Sequence, residues 1–249
     1  MPTTVTIGGL PIAVLSRAQA ARWMLDQATH RPRGSRPLYL TSANGEVIAR
    51  TRKDAALREQ FLAADQIVAD GQPMVWTSRL RCHTPLPERV ATTDLFHDVA
   101  RLAEETGHSF YLLGATAEEN ARALANVRQL YPRLDIVGAT HGYHTGDALT
   151  AKLAEIDALA PDILWLAMGV PHEQNFVAAH AHELPHVGMI KTSGGLFNFL
   201  SGRNSRAPLW MQRAGLEWLY RTLLEPRRLF WRYFVTNPVA LWQMLRYSE

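Results

Sequence analysis

The sequence predicts an α/β fold with a doubly wound, mostly parallel sheet and a C-terminal appendage of basic amphipathic helices. Short apolar runs rich in β-branched residues alternate with amphipathic stretches, which is the pattern of parallel strands joined by crossover helices. Six such units follow one another and favour a Rossmann-like sheet with helices on both faces. From Pro208 onward the pattern changes to short helical segments rich in arginine and tryptophan.

The strands are predicted from apolar runs bounded by turn residues. They cover Leu38–Ser42, Gln66–Ala69, Ser109–Leu113, Asp135–Val137, Ile163–Met168 and Val187–Lys191. The helices between them are predicted from apolar residues at helical spacing. They cover Gly45–Ala63, Gln72–Leu80, Asp94–Thr106, Glu118–Tyr131, Asp147–Leu159 and His172–His182.

The change of composition near Gly202 predicts a main domain over residues 1–201 and a helical appendage over residues 202–249. Four charged residues of the appendage recur at a spacing of four: Arg213, Glu217, Arg221 and Glu225. That spacing predicts a charged stripe along one helix. A second helix is predicted to begin at Pro226 and a third at Pro238, with Asn237 as its cap.

The appendage carries an unusual charge. Residues 202–249 hold eight arginines, no lysine and three glutamates, a net charge of +5, against +3 for all 249 residues, and four of the seven tryptophans. Arginine interleaved with tryptophan is typical of a segment at a membrane surface, where anionic headgroups contribute about 1 kcal/mol per basic residue. Nucleic acid is not expected as a partner because base-reading motifs are missing. The alternative is a basic face packed on the main domain.

Several classes of protein are excluded by what the sequence lacks. The single cysteine, Cys82, cannot form an internal disulfide, and no apolar run is long enough to span a membrane. The N-terminus lacks the features of a signal peptide, so a cytoplasmic protein is expected. Without a Gly-x-Gly-x-x-Gly fingerprint, a P-loop or an Asp-x-Asp pair, no cofactor and no metal are expected. The ten histidines are interpreted as solvated surface residues.

Ligands of doubly wound sheets bind at the carboxyl ends of the strands. Polar residues or glycines follow five of the predicted strands: Ser42–Glu46, Asp70–Pro73, Gly114–Thr116, Gly169–Pro171 and Thr192–Gly195. A glycine after a strand also makes a tight turn, so each segment alone has a purely structural alternative. Together the five segments favour a binding site at this edge of the sheet.

Asp70 is the candidate general base. It follows a buried strand and precedes Gly71, so its carboxylate is expected at the strand exit, where it could accept a proton. The alternative is that Asp70 caps the helix predicted to begin near Gln72.

Taken together, the motifs resemble those of the bacterial WecG/TagA/CpsF glycosyltransferases over roughly residues 5–240. The matching segments of the main domain are Ser42–Glu46, Ala69–Pro73, Leu86–Val90, Asp94-Leu95, Tyr111–Gly114, Tyr131-Pro132, Gly138–Tyr143 and Met168–Pro171. Those of the appendage are Gly202-Arg203, Arg206–Pro208, Gly215–Arg221, Glu225–Arg228 and Arg232-Tyr233.

The resemblance implies an inverting transfer of a sugar from a UDP-sugar to a polyprenyl-diphosphate-linked sugar, by a peripheral protein at the cytoplasmic face of the bacterial inner membrane. Asp70 matches the base, and Asn44 and Ser42 match the polar pair beside it, with Thr41 as the competitor of Ser42. Arg89 matches a donor- or phosphate-binding position. The further candidate substrate-binding residues are Gly114, Gly169, Glu173, Gln174, Arg206, Arg221, Arg228 and Arg232.

One departure from the family concerns substrate choice. The family usually reads Gly-x-Pro-x-Gln-Glu, whereas this chain has Glu173 followed by Gln174. Either residue is therefore a candidate sugar contact. Overall likeness favours a glucose donor for an exopolysaccharide, with N-acetylmannosamine or its uronic acid as the other donors. The alternative function is a catalytically silent, nucleotide-sugar-binding scaffold docked on a membrane. The oligomeric state stays open, and a homo-oligomer is compatible with the sequence.

Overall fold

The computed structural model describes residues 2–32 and 34–249, with the side chains of Arg213, Arg228 and Arg232 outside that description. Its strands are β1 (Thr4–Ile7), β2 (Leu10–Ala13), β3 (Leu38–Ala43), β4 (Gln66–Ala69), β5 (Ser109–Gly114), β6 (Asp135–Thr140), β7 (Ile163–Ala167) and β8 (Met189–Thr192). Its helices are α1 (Arg17–His30), α2 (Gly45–Lys53), α3 (Ala55–Leu62), α4 (Gln72–Arg81), α5 (Thr92–Thr106), α6 (Ala117–Leu130), α7 (Gly146–Leu159), α8 (His172–His180), α9 (Leu196–Leu200), α10 (Leu209–Arg213), α11 (Glu217–Leu224) and α12 (Pro226–Arg246).

The predicted fold class is confirmed. Six strands form one sheet in the order β4-β3-β8-β7-β5-β6, and the neighbours from β3 to β6 run parallel. The strands are separated in sequence by helices, as the crossover pattern requires. β1 and β2 form a separate antiparallel hairpin. The helical C-terminal part is present as α10 to α12.

The chain divides into two compact units. The first comprises the chain up to Arg17, Ser42–Ala91 and Ser205–Glu249. In it α12 packs along α2, and Gly45 lies next to Ala240, since a Cβ on Gly45 would be in ordinary van der Waals contact with that of Ala240 at 3.5 Å. The end of the chain pairs with β1, because Thr6 and Glu249 exchange two backbone hydrogen bonds of 3.0 Å. These contacts hold the C-terminal segment within the first unit.

The second unit comprises Ala18–Thr41 and Thr92–Asn204. Its core is aromatic at the centre of the sheet. Trp165 on β7 is fully buried, and its ring meets those of Phe96 and Phe110 at centroid distances of 4.9 and 5.8 Å. Such aromatic packing adds about 1 kcal/mol per pair to the burial of the rings. These contacts join β5 and β7, which lead into the candidate binding segments Gly114–Thr116 and Gly169–Pro171.

The structure corrects the predicted helix over Gly45–Ala63. That segment forms two helices, because Asp54 adopts an extended backbone (φ −122°, ψ 103°) between them. Its side chain accepts a hydrogen bond from Leu57 N at 3.0 Å and so caps α3. The hairpin β1–β2 and helix α1 were not predicted.

The predictions for the C-terminal helices need two corrections. The charged stripe does not lie on one helix, because Gly215 in the left-handed region (φ 65°) separates α10 from α11. The helix predicted to begin at Pro226 is confirmed, but no third helix begins at Pro238, which lies inside α12. Leu229, before the proline, and Met244, after it, are both buried, so packing on both sides holds the helix together although Pro238 lacks an N–H.

Among the described residues, none of the helices combines the length and the apolarity that crossing a membrane requires.

Candidate active site

The exits of β3 and β4 lie side by side in the first unit. The backbone N–H of Asp70 donates to the carbonyl oxygen of Ala43 over 2.8 Å. Side chains alternate along an extended segment, so Ser42 and Asn44 share one face of it. Asp70, Ser42 and Asn44 are all partly exposed. The structure thus brings the three residues predicted to be catalytic to one edge of the sheet.

Gly71 lies against Asn44 at this edge and marks the start of α4. A Cβ on Gly71 would be in ordinary van der Waals contact with Asn44, 3.5 Å from its Cα and Cβ atoms. Gly71 occupies the N-cap position of α4. Asp70 therefore precedes the cap, and the alternative that it serves as the N-cap of this helix is wrong.

Asn44 has a structural task as well. Its Oδ1 accepts a hydrogen bond of 3.1 Å from the backbone N–H of Val47 and so caps α2. The cap orients the amide group, whose Nδ2 is a donor rather than an acceptor. Asn44 can therefore terminate the helix and present an N–H to a ligand at the same time.

Arg89 is placed next to this edge by the backbone. The N–H of the following residue, Val90, donates to the carbonyl oxygen of Ala69 over 2.7 Å, directly before Asp70. The Arg89 side chain is only 13% exposed, and its NH1 donates to Glu217 Oε2 over 2.9 Å. Arg89 thus joins the β4 exit to helix α11.

Arg206, which belongs to the C-terminal segment, also binds the carboxylate of Glu217. Its Nε donates to Glu217 Oε1 over 2.7 Å, and its NH2 donates to Gln212 Oε1 over 2.6 Å. Arg89 NH2 reaches the same Gln212 oxygen at 3.5 Å. We call Arg89, Arg206, Gln212 and Glu217 the arginine cluster. Two planar guanidinium groups held together suit bidentate recognition of phosphate oxygens.

The other predicted arginines belong to the C-terminal helices. Arg221 lies on α11 and is partly exposed. The Arg228 and Arg232 side chains lie outside the described part of the structure, so their predicted contacts stay predictions.

In the second unit, Thr41 lies in the interior of the sheet. It is 1% exposed, and its hydroxyl accepts a hydrogen bond of 2.7 Å from Thr192 Oγ1. Ser42 follows it on the opposite face of β3 and is the more accessible hydroxyl. The geometry therefore favours Ser42 over Thr41 as the side chain that meets a ligand.

Glu173 and Gln174 are both buried at the start of α8, with exposed fractions of 3% and 1%. Glu173 Oε2 accepts a hydrogen bond of 2.9 Å from Gly194 N, and Gln174 Nε2 lies 3.4 Å from Glu173 Oε1. Burial raises the pKa of Glu173, although the N–H of Gly194 and the charge of Lys191 act in the opposite direction. Lys191 is fully buried, and its Nζ donates to the Thr192 carbonyl over 2.6 Å. Glu173 thus anchors the segment that follows β8.

The two candidate glycines differ in their surroundings. A Cβ on Gly114 would lie 2.2 Å from the carbonyl oxygen of Ala167, so this position requires glycine for packing. Gly169 has a positive φ of 78° and open space where a side chain would stand. The backbone conformation therefore favours glycine at position 169, whereas at position 114 the neighbouring strand requires it.

Across residues 2–32 and 34–249, no group of three histidine, cysteine or acidic side chains is arranged to hold a metal ion. Three of the described histidines lie against carboxylates: His30 lies 3.2 Å from Asp26, His180 lies 2.7 Å from Glu183 and His186 lies 2.7 Å from Asp157.

The partners of the predicted residues were not predicted from the sequence. Glu217 was interpreted only as part of a charged stripe, and Gln212 and Lys191 were not singled out. Glu217 lies within the matching segment Gly215–Arg221, which is the signal that could have drawn attention to it. Lys191 carried a weaker signal, a lysine at the end of an apolar strand before Thr192–Gly195.

Known proteins are similar to this sequence over most of its length. The model of the "Glycosyl transferase WecG/TagA/CpsF family" matches residues 5–249. An N-acetylglucosaminyldiphosphoundecaprenol N-acetyl-beta-D-mannosaminyltransferase of Bacillus subtilis (strain 168) is 31% identical over 199 residues, which cover 80% of this chain and 75% of the relative. Proteins of the same name from Bacillus spizizenii and Staphylococcus aureus (strain MRSA252) are each 29% identical, over 85% and 77% of this chain and 80% and 74% of their own lengths.

Proposed function

The chain belongs to the WecG/TagA/CpsF glycosyltransferase family. We propose that it moves a sugar from a UDP-sugar to the sugar of a polyprenyl-diphosphate-linked acceptor, in the assembly of a bacterial surface polysaccharide. The names of the relatives support this acceptor class, because they describe transfer to N-acetylglucosaminyldiphosphoundecaprenol. The observation that carries the mechanism is the adjacency of Asp70 to the Arg89 segment.

In the proposed reaction Asp70 is the general base. Its carboxylate takes the proton of the acceptor hydroxyl as that oxygen attacks the anomeric carbon of the donor. The bond between the anomeric carbon and the UDP oxygen breaks, UDP leaves with the electron pair, and the configuration inverts. One displacement with one base needs no covalent enzyme intermediate. The partly exposed position of Asp70 after β4 supports this role.

Asn44 and Ser42 are proposed to orient the reacting groups beside Asp70. The Asn44 amide is fixed by the cap on α2 and offers Nδ2 as a donor. Ser42 shares its face of the extended segment. Donors held in place before the reaction stabilise developing charge without reorganisation.

The arginines are proposed to neutralise diphosphate charge. Arg89 and Arg206 are held by one carboxylate in the first unit, and Arg221, Arg228 and Arg232 are the further candidates. A guanidinium binds phosphate oxygens bidentately, and in a partly desolvated site such bonds are strong. Because arginine can supply this charge, we expect the reaction to proceed in a chelator.

In the second unit, Gly169 and the Glu173-Gln174 pair stay the proposed sugar-contacting positions, with Gly114 and Thr41 as supporting residues. Glu173 accepts a hydrogen bond from Gly194 and Gln174 is 1% exposed, so either member of the pair stays a proposed sugar contact.

Attachment to a membrane is proposed for the segment 202–249, which we treat as a functional appendage. Its exposed apolar residues include Leu223, Phe230, Trp231 and Phe234, each at least 52% exposed. A groove of about 260 Å³ between α2 and α12 is lined by Val235 and Val239 together with Arg50 and Lys53. Apolar side chains with basic neighbours fit an anionic lipid surface. We propose a peripheral protein at the cytoplasmic face of the membrane.

The donor sugar is the finer part of the proposal. Overall likeness favoured glucose, whereas the relatives are named for N-acetylmannosamine. The test is a donor panel: the purified protein, a short-chain lipid-diphosphate-linked N-acetylglucosamine, and UDP-glucose, UDP-N-acetylmannosamine or its uronic acid, with EDTA present. Release of UDP and a product one sugar heavier by mass spectrometry support the proposal. Binding of UDP-sugars without turnover of any pair would instead favour the silent scaffold.

A further inference from the structure

Glu217 connects two arginines that come from distant parts of the sequence. Each of its oxygens accepts from a different guanidinium: Oε2 from Arg89 at 2.9 Å and Oε1 from Arg206 at 2.7 Å. The three side chains are 13%, 22% and 19% exposed for Arg89, Arg206 and Glu217. Gln212 Oε1 accepts from both arginines as well, and Gln212 Nε2 donates to the Ala207 carbonyl over 2.6 Å.

The guanidinium groups of Arg89 and Arg206, which bind the same carboxylate, repel each other. Their partial burial weakens the screening of this repulsion by water. One carboxylate between them offsets the repulsion and leaves the three side chains with a net charge of +1. Because a guanidinium is planar, a hydrogen bond at one edge fixes the direction in which the whole group presents its other N–H groups. The bonds to Glu217 and Gln212 therefore contribute to the orientation of both arginines.

We propose that Glu217 is a positioning residue that aligns Arg89 and Arg206 for binding a diphosphate. This inference rests on the proposed function, in which diphosphate occurs in both the UDP-sugar and the lipid-linked acceptor. Glu217 lies in the first turn of α11, where a negative charge is stabilised by the helix dipole. Arg206 belongs to the C-terminal segment and Arg89 to the loop beside the β4 exit. Glu217 thus makes the orientation of Arg89 depend on the C-terminal segment.

The substitution Glu217→Gln distinguishes a positioning role from a purely electrostatic one, because the two roles predict opposite changes in the affinity for a diphosphate. It removes a negative charge beside two arginines, so a purely electrostatic role predicts tighter binding of a diphosphate. If Glu217 positions the arginines, binding weakens although the cluster becomes more positive. A role in stability alone changes the melting temperature and leaves the affinity of the folded protein unchanged.

The experiment is calorimetry of the full-length protein and its variants with two probes, UDP for the donor and geranyl diphosphate for the acceptor. We expect Glu217→Gln to weaken the binding of at least one probe about ten-fold, and the affected probe identifies the diphosphate that the cluster holds. The control is Glu118→Gln, which removes one carboxylate from an exposed ion pair with Arg122 on α6 and is expected to change neither affinity.

A double-mutant cycle tests the link to Arg89 directly. Arg89→Lys keeps the charge but loses the planar fork, and we expect its effect on probe binding to be non-additive with that of Glu217→Gln. Should Glu217→Gln fail to fold, Glu217→Asp takes its place, because the shorter carboxylate keeps the charge but cannot reach both arginines as Glu217 does.

Unchanged or tighter binding of both probes by the folded variant, or strictly additive effects in the cycle, overturns the positioning role and leaves the proposed reaction intact. If the unaltered protein binds neither probe and releases no UDP from any donor, the proposed function itself fails, and the role of Glu217 with it.

Discussion

Arg89 donates a hydrogen bond of 2.9 Å to Glu217, a residue 128 positions later in the chain. Arg89 lies in a loop that is joined by the backbone to the exit of β4, and Glu217 begins a C-terminal helix. The pair therefore places part of the C-terminal segment beside the candidate base within the first unit. A segment that meets a membrane and also orients a substrate-binding arginine would couple arrival at the lipid to catalysis.

The first prediction concerns the membrane. Leu223→Ser and Trp231→Ser are expected to weaken binding to vesicles that contain anionic phospholipid by about ten-fold each, because the apolar surface they remove contributes roughly 25 cal/mol per Å² when buried. Co-sedimentation measures the effect, and raising the salt concentration should weaken the binding further. The matched control is Leu130→Ser on α6, since Leu130 is 59% exposed and Leu223 is 70% exposed. Equal losses in both leucine variants would rule out a specific membrane face.

The second prediction separates the two tasks of Asn44. Asn44→Asp keeps a side-chain oxygen to cap α2, so we expect little change in the free energy of unfolding. It replaces the Nδ2 donor by a negative charge beside Asp70, so kcat/KM should fall by about ten-fold or more. Asn44→Ala should lose activity and also about 1 kcal/mol of stability with the cap. If Asn44→Asp is as active as the unaltered protein, Asn44 is a cap and nothing more.

The third prediction follows from Glu173. Because burial raises its pKa above the ordinary value of 4.5, the folded protein binds this proton more tightly than the unfolded chain does. The contribution to stability is present below the ordinary pKa and is lost as the pH rises through the folded pKa. The free energy of unfolding of Glu173→Gln, relative to the unaltered protein, should therefore rise with pH, and each ten-fold difference in proton affinity between the folded and unfolded chains corresponds to about 1.4 kcal/mol.

Urea unfolding of both proteins from about pH 4.5 to 8 measures this difference across the range in which the folded carboxyl titrates. A difference in unfolding free energy that stays constant or falls as the pH rises contradicts a raised pKa of Glu173.

Much of the main fold was predictable because its signals are local. Strands such as Ile163–Ala167 are continuous apolar runs, and parallel strands buried on both faces produce that pattern. The hairpin β1–β2 was missed although Gly8 and Gly9 form a two-residue turn between its strands, which is a usable signal. The break at Asp54 was missed because the apolar spacing continues across it.

The site was predictable only in part. The segments that hold Ser42, Asn44 and Asp70 were predicted to meet because residues after parallel strands share one edge of a sheet. Their catalytic roles were implied by the family resemblance and stay predictions. The arginine cluster was not found, because Glu217 is far in sequence from Arg89 and periodicity assigned it to a helix surface. The role of Glu173 in anchoring Gly194 likewise depends on a contact between residues 21 positions apart. Sequence periodicity reports which face a residue occupies and not which residue it meets there.

Asp70 is proposed as the general base, and the rate of UDP release by Asp70→Asn measures its contribution. Removing a general base costs about 100- to 10,000-fold in rate, so we expect a loss within that range with an unchanged melting temperature. The matched control is Asp54→Asn, in which asparagine can take over the cap on α3 and activity should be retained. A folded Asp70→Asn variant that releases UDP at the rate of the unaltered protein would contradict the account.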